Sequence, residues 1–142
     1  MPAYLVTAIL RRYPGPEAYA VWVPSRYATV AYAAASGATR WIRRYYGPGG
    51  AGGTAMFVGV SPDASTVFVT GAAGTGFDDY ATLGYDAATG AQLWVRLYKG
   101  PEGANAATGG AVSPVRPQVF ITGTSVGVNG KQDYATVSYT QG

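Results

Sequence analysis

Apolar and polar residues alternate in short runs along this chain, and the clearest example spans residues 80–94. Alternate apolar side chains in 80–85 share one face of an extended strand. Residues 86–90 carry turn chemistry, because an Asp accepts backbone amide hydrogens and a Gly adopts a positive φ easily. Residues 91–98 alternate again and include Trp94. The pattern predicts a β-hairpin whose second strand carries a buried indole.

The hairpin pattern recurs along the chain with a period near 53 residues. Tyr27, Tyr80 and Tyr134 each open a Tyr-Ala-Thr strand, and Trp41 and Trp94 lie 53 residues apart. The runs VFVTG and VFITG begin 52 residues apart. A repeat of this length is typical of propellers and solenoids.

The central repeat contains four short segments with strand patterns, separated by turns rich in Gly and Pro. We name the predicted strands A to D, at 54–60, 66–70, 80–85 and 91–98. Four consecutive antiparallel strands in each repeat are typical of a β-propeller blade. The predicted fold class is therefore all-β, built from propeller blades.

The flanking repeats are less complete than the central one. The preceding repeat has strand C at 27–32 and strand D at 39–46, and residues 3–10 and 19–23 are candidates for diverged strands A and B. The following repeat has predicted strands A, B and C but no strand D, at 106–112, 118–122 and 134–139. We predict a single partial propeller over residues 1–142, with blade 1 at 3–46, blade 2 at 54–98 and incomplete blade 3 at 106–139.

Three blades cannot close a ring, because propellers typically close with four to eight. An open fan would leave apolar faces and strand edges in water. We therefore expect the chain to associate with itself. A dimer with about six blades is the first expectation, and a tetramer that uses two blades of each chain is the second. The remaining possibility is that the chain is one segment of a longer propeller.

Composition and charge narrow the range of functions. The chain has no Cys and no His, which excludes Ser/His and Cys/His nucleophile systems, cysteine-based metal sites and disulfides. Residues 1–46 hold six Arg and one Glu, a net +5, whereas the remainder is net −2. No apolar run approaches the roughly 20 residues that span a bilayer. Residues 3–10 are short and follow no positive residue, so we predict neither a signal peptide nor a membrane partner.

Residues 84–94 read GYDAATGAQLW and resemble the tryptophan-docking motif A-x-D-x-x-T-G-x-x-x-W of quinoprotein-type propellers, with Gly in place of the first Ala. The wider frame of SPD, VFVTG, DYAT and GPG is similar to repeats of bacterial secreted propellers, which implies an extracellular location. In that family the Trp of one blade packs on a neighbouring blade, near the Gly of the next motif. The resemblance implies a structural docking set of Trp41, Trp94, Gly37, Gly90, Asp86 and Thr89.

The first copy of the motif departs from the family pattern. Ala33 and Ser36 replace the Asp and Thr, while Gly37 and Trp41 remain, so we expect docking with a weaker turn there. The resemblance also raises a quinone cofactor with calcium. Quinoprotein enzymes hold both in a full eight-bladed ring, and this chain amounts to less than half of one. We therefore predict no cofactor.

Three aspartates recur just before strand C of the predicted blades. Asp78 and Asp79 end one loop, and Asp133 ends the matching loop 54 residues after Asp79. Paired carboxylates of this kind could bind calcium or act as a catalytic acid and base. Their recurrence favours loop capping instead. The four long loops of the chain should lie on one side of the blades, at 47–53, 71–79, 99–105 and 123–133. This long-loop face, with Asn105, is the candidate site for a carbohydrate or protein ligand.

Two other stretches suggest chemistry but have simpler explanations. Arg43 to Tyr46 mixes cations and aromatic rings as nucleic-acid sites do, but the equivalent 96–99 indicates an outer strand. The glycines of 47–53 lack the following Lys-Ser or Lys-Thr of a phosphate loop. The predicted function is a non-catalytic, self-assembling scaffold or binding module that binds no nucleic acid. The alternatives are a lyase or glycoside hydrolase that uses the long-loop face, and engineered or fragmentary blades with no function beyond assembly.

Overall fold

The computed structural model describes residues 4–8, 26–75 and 79–141. No α-helix occurs within these residues, and the all-β class is confirmed. A short 3-10 turn at Pro48–Gly50 precedes β4. The strands are β1 (Tyr4–Ala8), β2 (Tyr27–Ala33), β3 (Thr39–Tyr45), β4 (Gly53–Val60), β5 (Thr66–Ala73), β6 (Asp79–Asp86), β7 (Gln92–Lys99), β8 (Glu102–Val112), β9 (Gln118–Val126) and β10 (Gln132–Thr140).

The second sheet contains β4, β5, β6 and β7 in chain order, and every neighbouring pair is antiparallel. These are the strands A to D predicted for the central repeat. Each is joined to the next by five residues, which favours antiparallel neighbours. The segment 71–79, predicted as a long loop, therefore leaves no more residues between its strands than the turns at 61–65 and 87–91 do. The third sheet contains β8, β9 and β10, also in chain order, and no fourth strand joins it among the described residues.

The first sheet contains β1, β2 and β3 in chain order, with antiparallel neighbours, and it corrects one prediction. We expected residues 3–10 to form strand A, two positions away from strand C, but β1 pairs directly with β2. Its register, from Tyr4 opposite Ala33 to Ala8 opposite Thr29, repeats that of β5 on β6. β1 therefore takes the position of strand B, because a short apolar run shows that a strand exists but not which neighbour it pairs with. Residues 19–23 lie outside the described part.

The three sheets stack face to face around two apolar clusters. One cluster lies between the first and second sheets, and its largest members are Tyr27, Trp41, Leu83 and Tyr85. The other lies between the second and third sheets, around Phe68, Tyr80 and Ile121. All eight residues of β5 are buried, which matches its apolar and β-branched sequence. The second sheet is thus covered on both faces.

Candidate functional site

The turn between β6 and β7 is built around the carboxylate of Asp86. One oxygen, Oδ1, accepts hydrogen bonds from the amides of Ala88 at 3.0 Å and Thr89 at 2.8 Å, and from the Thr89 hydroxyl at 2.8 Å. The Thr89 amide, then its hydroxyl, hold the pKa of Asp86 below its usual value. Gly90 closes the turn at φ +71°, where a side chain would be strained.

Trp41 of the first sheet lies on this turn. Its Nε1 donates a hydrogen bond to the carbonyl oxygen of Ala87 at 3.0 Å. A Cβ placed on Gly90 would lie 2.6 Å from Cδ2 of the indole, so the ring occupies the space that the glycine leaves. The Tyr85 ring centroid is 6.0 Å away. Four residues of the predicted docking set, Trp41, Asp86, Thr89 and Gly90, therefore meet at one contact between sheets.

Arg43 also binds the turn at residues 86–90, although it was not among the predicted docking residues. Its Nε donates to the carbonyl of Gly90 at 2.6 Å, and its Nη2 donates to the carbonyl of Thr89 at 3.0 Å. Both carbonyls belong to a tight turn, where few other backbone donors reach them. The signal for this role in the sequence was the recurrence of Arg two positions after each of Trp41 and Trp94.

Tyr27, the first residue of β2, and Tyr80, the second residue of β6, also reach the next sheet, a role that sequence reasoning missed. The hydroxyl of Tyr27 donates to the carbonyl of Ala81 at 3.3 Å, and that of Tyr80 donates to the carbonyl of Thr124 at 3.0 Å. Burial, followed by the neighbouring Tyr98, raises the pKa of Tyr80 to about 12. Each hydroxyl therefore serves as a neutral donor across the boundary between two sheets.

Trp94 occupies on β7 the position that Trp41 occupies on β3, but its surroundings differ. Its ring lies on Gly84 of its own sheet, where an added Cβ would approach Cε2 to 2.5 Å. The rings of Phe68 and Tyr139 lie 5.9 Å and 6.1 Å away. Its Nε1 is buried and has no hydrogen-bond partner in the part of the chain that the structure describes. The ring is packed between two sheets while its one polar atom is unsatisfied.

Gly37, the remaining member of the predicted docking set, lies in the turn between β2 and β3. Its amide donates to the carbonyl of Ala33 at 2.7 Å, and its φ is +71°. Ser36 replaces the Thr of the motif, and its hydroxyl accepts a hydrogen bond from the amide of Ala38 at 3.3 Å. No atom comes within 4 Å of a Cβ placed on Gly37. This turn has the motif's backbone, and no described side chain covers its glycine.

The polar residues predicted for the long-loop face are engaged separately. Asp79 is mostly buried and its Oδ2 lies 3.7 Å from Nζ of Lys99. Asp133 accepts the amide of Tyr134 at 2.8 Å, as expected of a loop cap. Asp78 lies outside the described residues. No group of three or more Asp or Glu in the described ranges is placed to hold a metal ion.

Asn105, the other candidate on that face, is only 2% exposed. Its Nδ2 donates to the carbonyl of Gly103 at 2.8 Å, and its Oδ1 accepts the hydroxyl hydrogen of Ser125 at 2.7 Å. The side chain therefore ties β8 to β9 within the third sheet. A surface ligand would have to displace these internal bonds to reach it.

No family model, curated protein or solved structure matches this chain. The resemblance to quinoprotein-type propellers therefore stays a prediction. In the described ranges, no helix is both long enough and apolar enough to cross a bilayer.

Proposed function

We propose that this chain is a non-catalytic scaffold of propeller blades that assembles with further copies of itself into a closed ring. The observation that carries the proposal is the contrast among three equivalent tyrosines. Tyr27 and Tyr80 are 1% and 0% exposed and each donates a hydrogen bond to the next sheet, whereas Tyr134 is 80% exposed. Tyr134 lies on the third sheet, where a further sheet would cover it.

The side chains beside Tyr134 repeat the pattern of the covered face of the second sheet. Phe68 is fully buried there, whereas its counterpart Phe120 is exposed. Thr122 and Thr136 are exposed, but their hydroxyl oxygens lie 3.1 Å apart, like a buried threonine pair at the same place in the second sheet. The outer face of the third sheet, defined by Phe120, Thr122, Tyr134 and Thr136, thus has the composition of a sheet-to-sheet contact.

Association would bury apolar surface that is exposed in the single chain, and this burial favours it. Aromatic side chains bury about 150–250 Å² each, and apolar burial is worth roughly 25 cal/mol per Å². Covering Tyr134 alone would therefore contribute roughly 4 kcal/mol. The complementary surface is the outer side of the first sheet, where Ile42 is exposed while its counterpart Val95 packs into the first cluster. Two chains joined in this way supply about six blades, and a tetramer that uses two blades of each chain is the next arrangement.

Sedimentation equilibrium and native mass spectrometry test the assembly. The wild-type protein is expected at twice the chain mass of 14.7 kDa. Tyr134→Lys should shift it to the chain mass, because a charge would be buried at the contact. Val128→Lys is the matched control, since Val128 is also 80% exposed but lies in a loop. A wild-type protein that stays at 14.7 kDa at every concentration contradicts the proposal.

An enzyme that uses the long-loop face requires carboxylates that converge on one point. Asp79 and Asp133 instead have separate partners. No observation favours the enzymatic alternative, so we do not propose it. A carbohydrate or protein ligand of the long-loop face stays a prediction.

A further inference from the structure

Positive charge in the described part of the chain is concentrated on the first sheet. Residues 4–8 and 26–52 contain four arginines and no Asp or Glu, a net charge of +4. The remaining described residues, 53–75 and 79–141, contain four basic and five acidic side chains, a net charge of −1. The arginines of the first group are Arg26, Arg40, Arg43 and Arg44. A sheet that carries cations and no carboxylate of its own favours an anionic partner.

The outer side of β3 presents part of this charge to solvent. Arg43 is bound to the turn of the second sheet, but Ile42 and Arg44 alternate with it along the strand and are both exposed. Just after the strand, the ring of Tyr46 is exposed and the guanidinium carbon of Arg26 lies 4.6 Å from its centre. Exposed cations therefore lie next to exposed apolar groups along β3.

β3 is also the edge of the first sheet. It pairs with β2 on one side and with no described strand on the other. The chain continues from β3 through the 3-10 turn at Pro48–Gly50 into β4 of the next sheet, so this edge does not arise where the sequence ends. The unpaired backbone N–H and C=O groups of an edge strand can accept an added strand.

The second sheet indicates that such an edge stays accessible between neighbouring sheets. β7 is the counterpart of β3, and its sheet is covered on both faces, yet no described strand pairs with its outer edge. Leu97 lies three residues after Trp94, as Arg44 lies three residues after Trp41, and it is 39% exposed. Arg44 and the edge of β3 therefore stay accessible when a further sheet covers the first one.

The charge on this edge selects which strands can pair with it. Charged side chains protect edge strands from unwanted pairing, and cations do so by repelling other cations. A second copy of β3 would bring like charges together across the two strands, which is destabilising. A strand that carries carboxylates would instead bring opposite charges together. The edge of β3 therefore rejects its own copies and admits an acidic strand.

We propose that the edge of β3 is a binding site for an extended acidic segment of a separate protein. The segment joins the first sheet as a strand antiparallel to β3. One of its carboxylates pairs with Arg44, and a second pairs with the guanidinium of Arg26 beside the Tyr46 ring. An apolar side chain of the segment lies beside Ile42. This site does not depend on the ring assembly, which brings together the faces of sheets rather than this edge.

Fluorescence anisotropy of a labelled synthetic peptide tests the site directly. The probe is ETETVTV, whose acidic residues lie opposite positions 46 and 44 and whose first Val lies opposite position 42. We expect saturable binding that weakens as the ionic strength rises, because exposed ion pairs are screened. The peptide KTKTVTV, with reversed charge, and the peptide EETTTVV, with the same composition but no alternation, should each bind at least about tenfold more weakly.

Equal binding of ETETVTV and EETTTVV overturns the proposal, because charge alone would then explain the attraction. Binding of polyphosphate or of phosphatidylserine vesicles, with no binding of ETETVTV, assigns the arginines to another anion and also overturns it.

Reversing one charge on each partner tests the predicted pairing. Arg44→Glu should weaken binding of ETETVTV about tenfold and strengthen binding of ETKTVTV, which places a Lys opposite position 44, by a similar factor. Arg116→Glu is the matched control, because Arg116 is an exposed arginine in the turn before β9 and the variant has the same net charge. It should leave both affinities unchanged. An Arg44→Glu protein that still prefers ETETVTV overturns the proposal.

Amide hydrogen exchange tests whether the segment is added as a strand. Saturating ETETVTV should slow exchange about tenfold at the amides of β3 that do not bond to β2. Unchanged exchange at these amides overturns the proposal. The titration is repeated in Tyr134→Lys, which alters the third sheet alone. A dimeric wild-type protein that does not bind the peptide overturns the peptide site alone, and a monomeric wild-type protein that binds it overturns the ring assembly alone.

Discussion

Replacing each docking indole with phenylalanine compares two equivalent positions that differ in one hydrogen bond. Trp41→Phe removes the donor to the carbonyl of Ala87, which is 1% exposed. The unpaired carbonyl costs about 1–3 kcal/mol, and the smaller ring loses about 1 kcal/mol of packing. The expected loss in the free energy of unfolding is therefore about 3 kcal/mol. Trp94→Phe loses similar packing but removes an unsatisfied buried donor, so its net effect should be near zero.

Urea unfolding followed by far-ultraviolet circular dichroism measures both variants at one protein concentration, so that association affects them equally. Equal m-values with a lower midpoint for Trp41→Phe would attribute the difference to stability rather than to a change in compactness. Equal losses in the free energy of unfolding for the two variants, or a larger loss for Trp94→Phe, would refute this expectation.

Three further comparisons use the same contacts. Gly90→Ala should cost several times more than Gly37→Ala, because both have φ +71° but only Gly90 has an indole within 3 Å of the added Cβ; urea midpoints decide this. Because the pKa of Asp86 is lowered in the folded state, its carboxylate contributes stability above about pH 3.9, and this contribution is lost as the pH falls through the folded-state pKa. The difference in the free energy of unfolding between wild type and Asp86→Asn should therefore shrink as the pH is lowered. Burial is the main cause that raises the pKa of Tyr80 and of Tyr85 from 10.0 to about 12. Because the tyrosines of the unfolded chain ionise at lower pH, the free energy of unfolding should fall between about pH 10 and 12. Tyrosinate absorbance at 295 nm follows the ionisation in parallel with the stability measurement.

The repeated strands were predictable because local chemistry determines them. The turn at residues 86–90 could be read from Asp86, Thr89 and Gly90, since an Asp side chain and a positive φ act within a few residues. The alternation of apolar and polar residues on either side of this turn then predicted two strands of the second sheet. Position within a sheet depends on pairing across the fold, which is why β1 was assigned to the wrong strand position.

The contacts between sheets were only partly predictable. The recurrence of Trp41 and Trp94 marked them as equivalent, but their sequence positions could not show that one indole finds an acceptor and the other does not. Arg43 was assigned only to an outer strand, because its acceptors are backbone carbonyls 46 and 47 residues away, which carry no side-chain signature. Asn105 was read as a loop residue, although its partners bury it within the third sheet.

The first and second sheets are held together by the Trp41 indole, which lies on the turn at residues 86–90. Nuclear Overhauser contacts between the Trp41 indole and the α-protons of Gly90 measure that arrangement directly. We expect strong contacts, with the Gly90 α-protons shifted upfield by the ring and the Trp41 Nε1 hydrogen protected from exchange. Gly90 α-protons at ordinary shifts, with no contact to the indole, would contradict it.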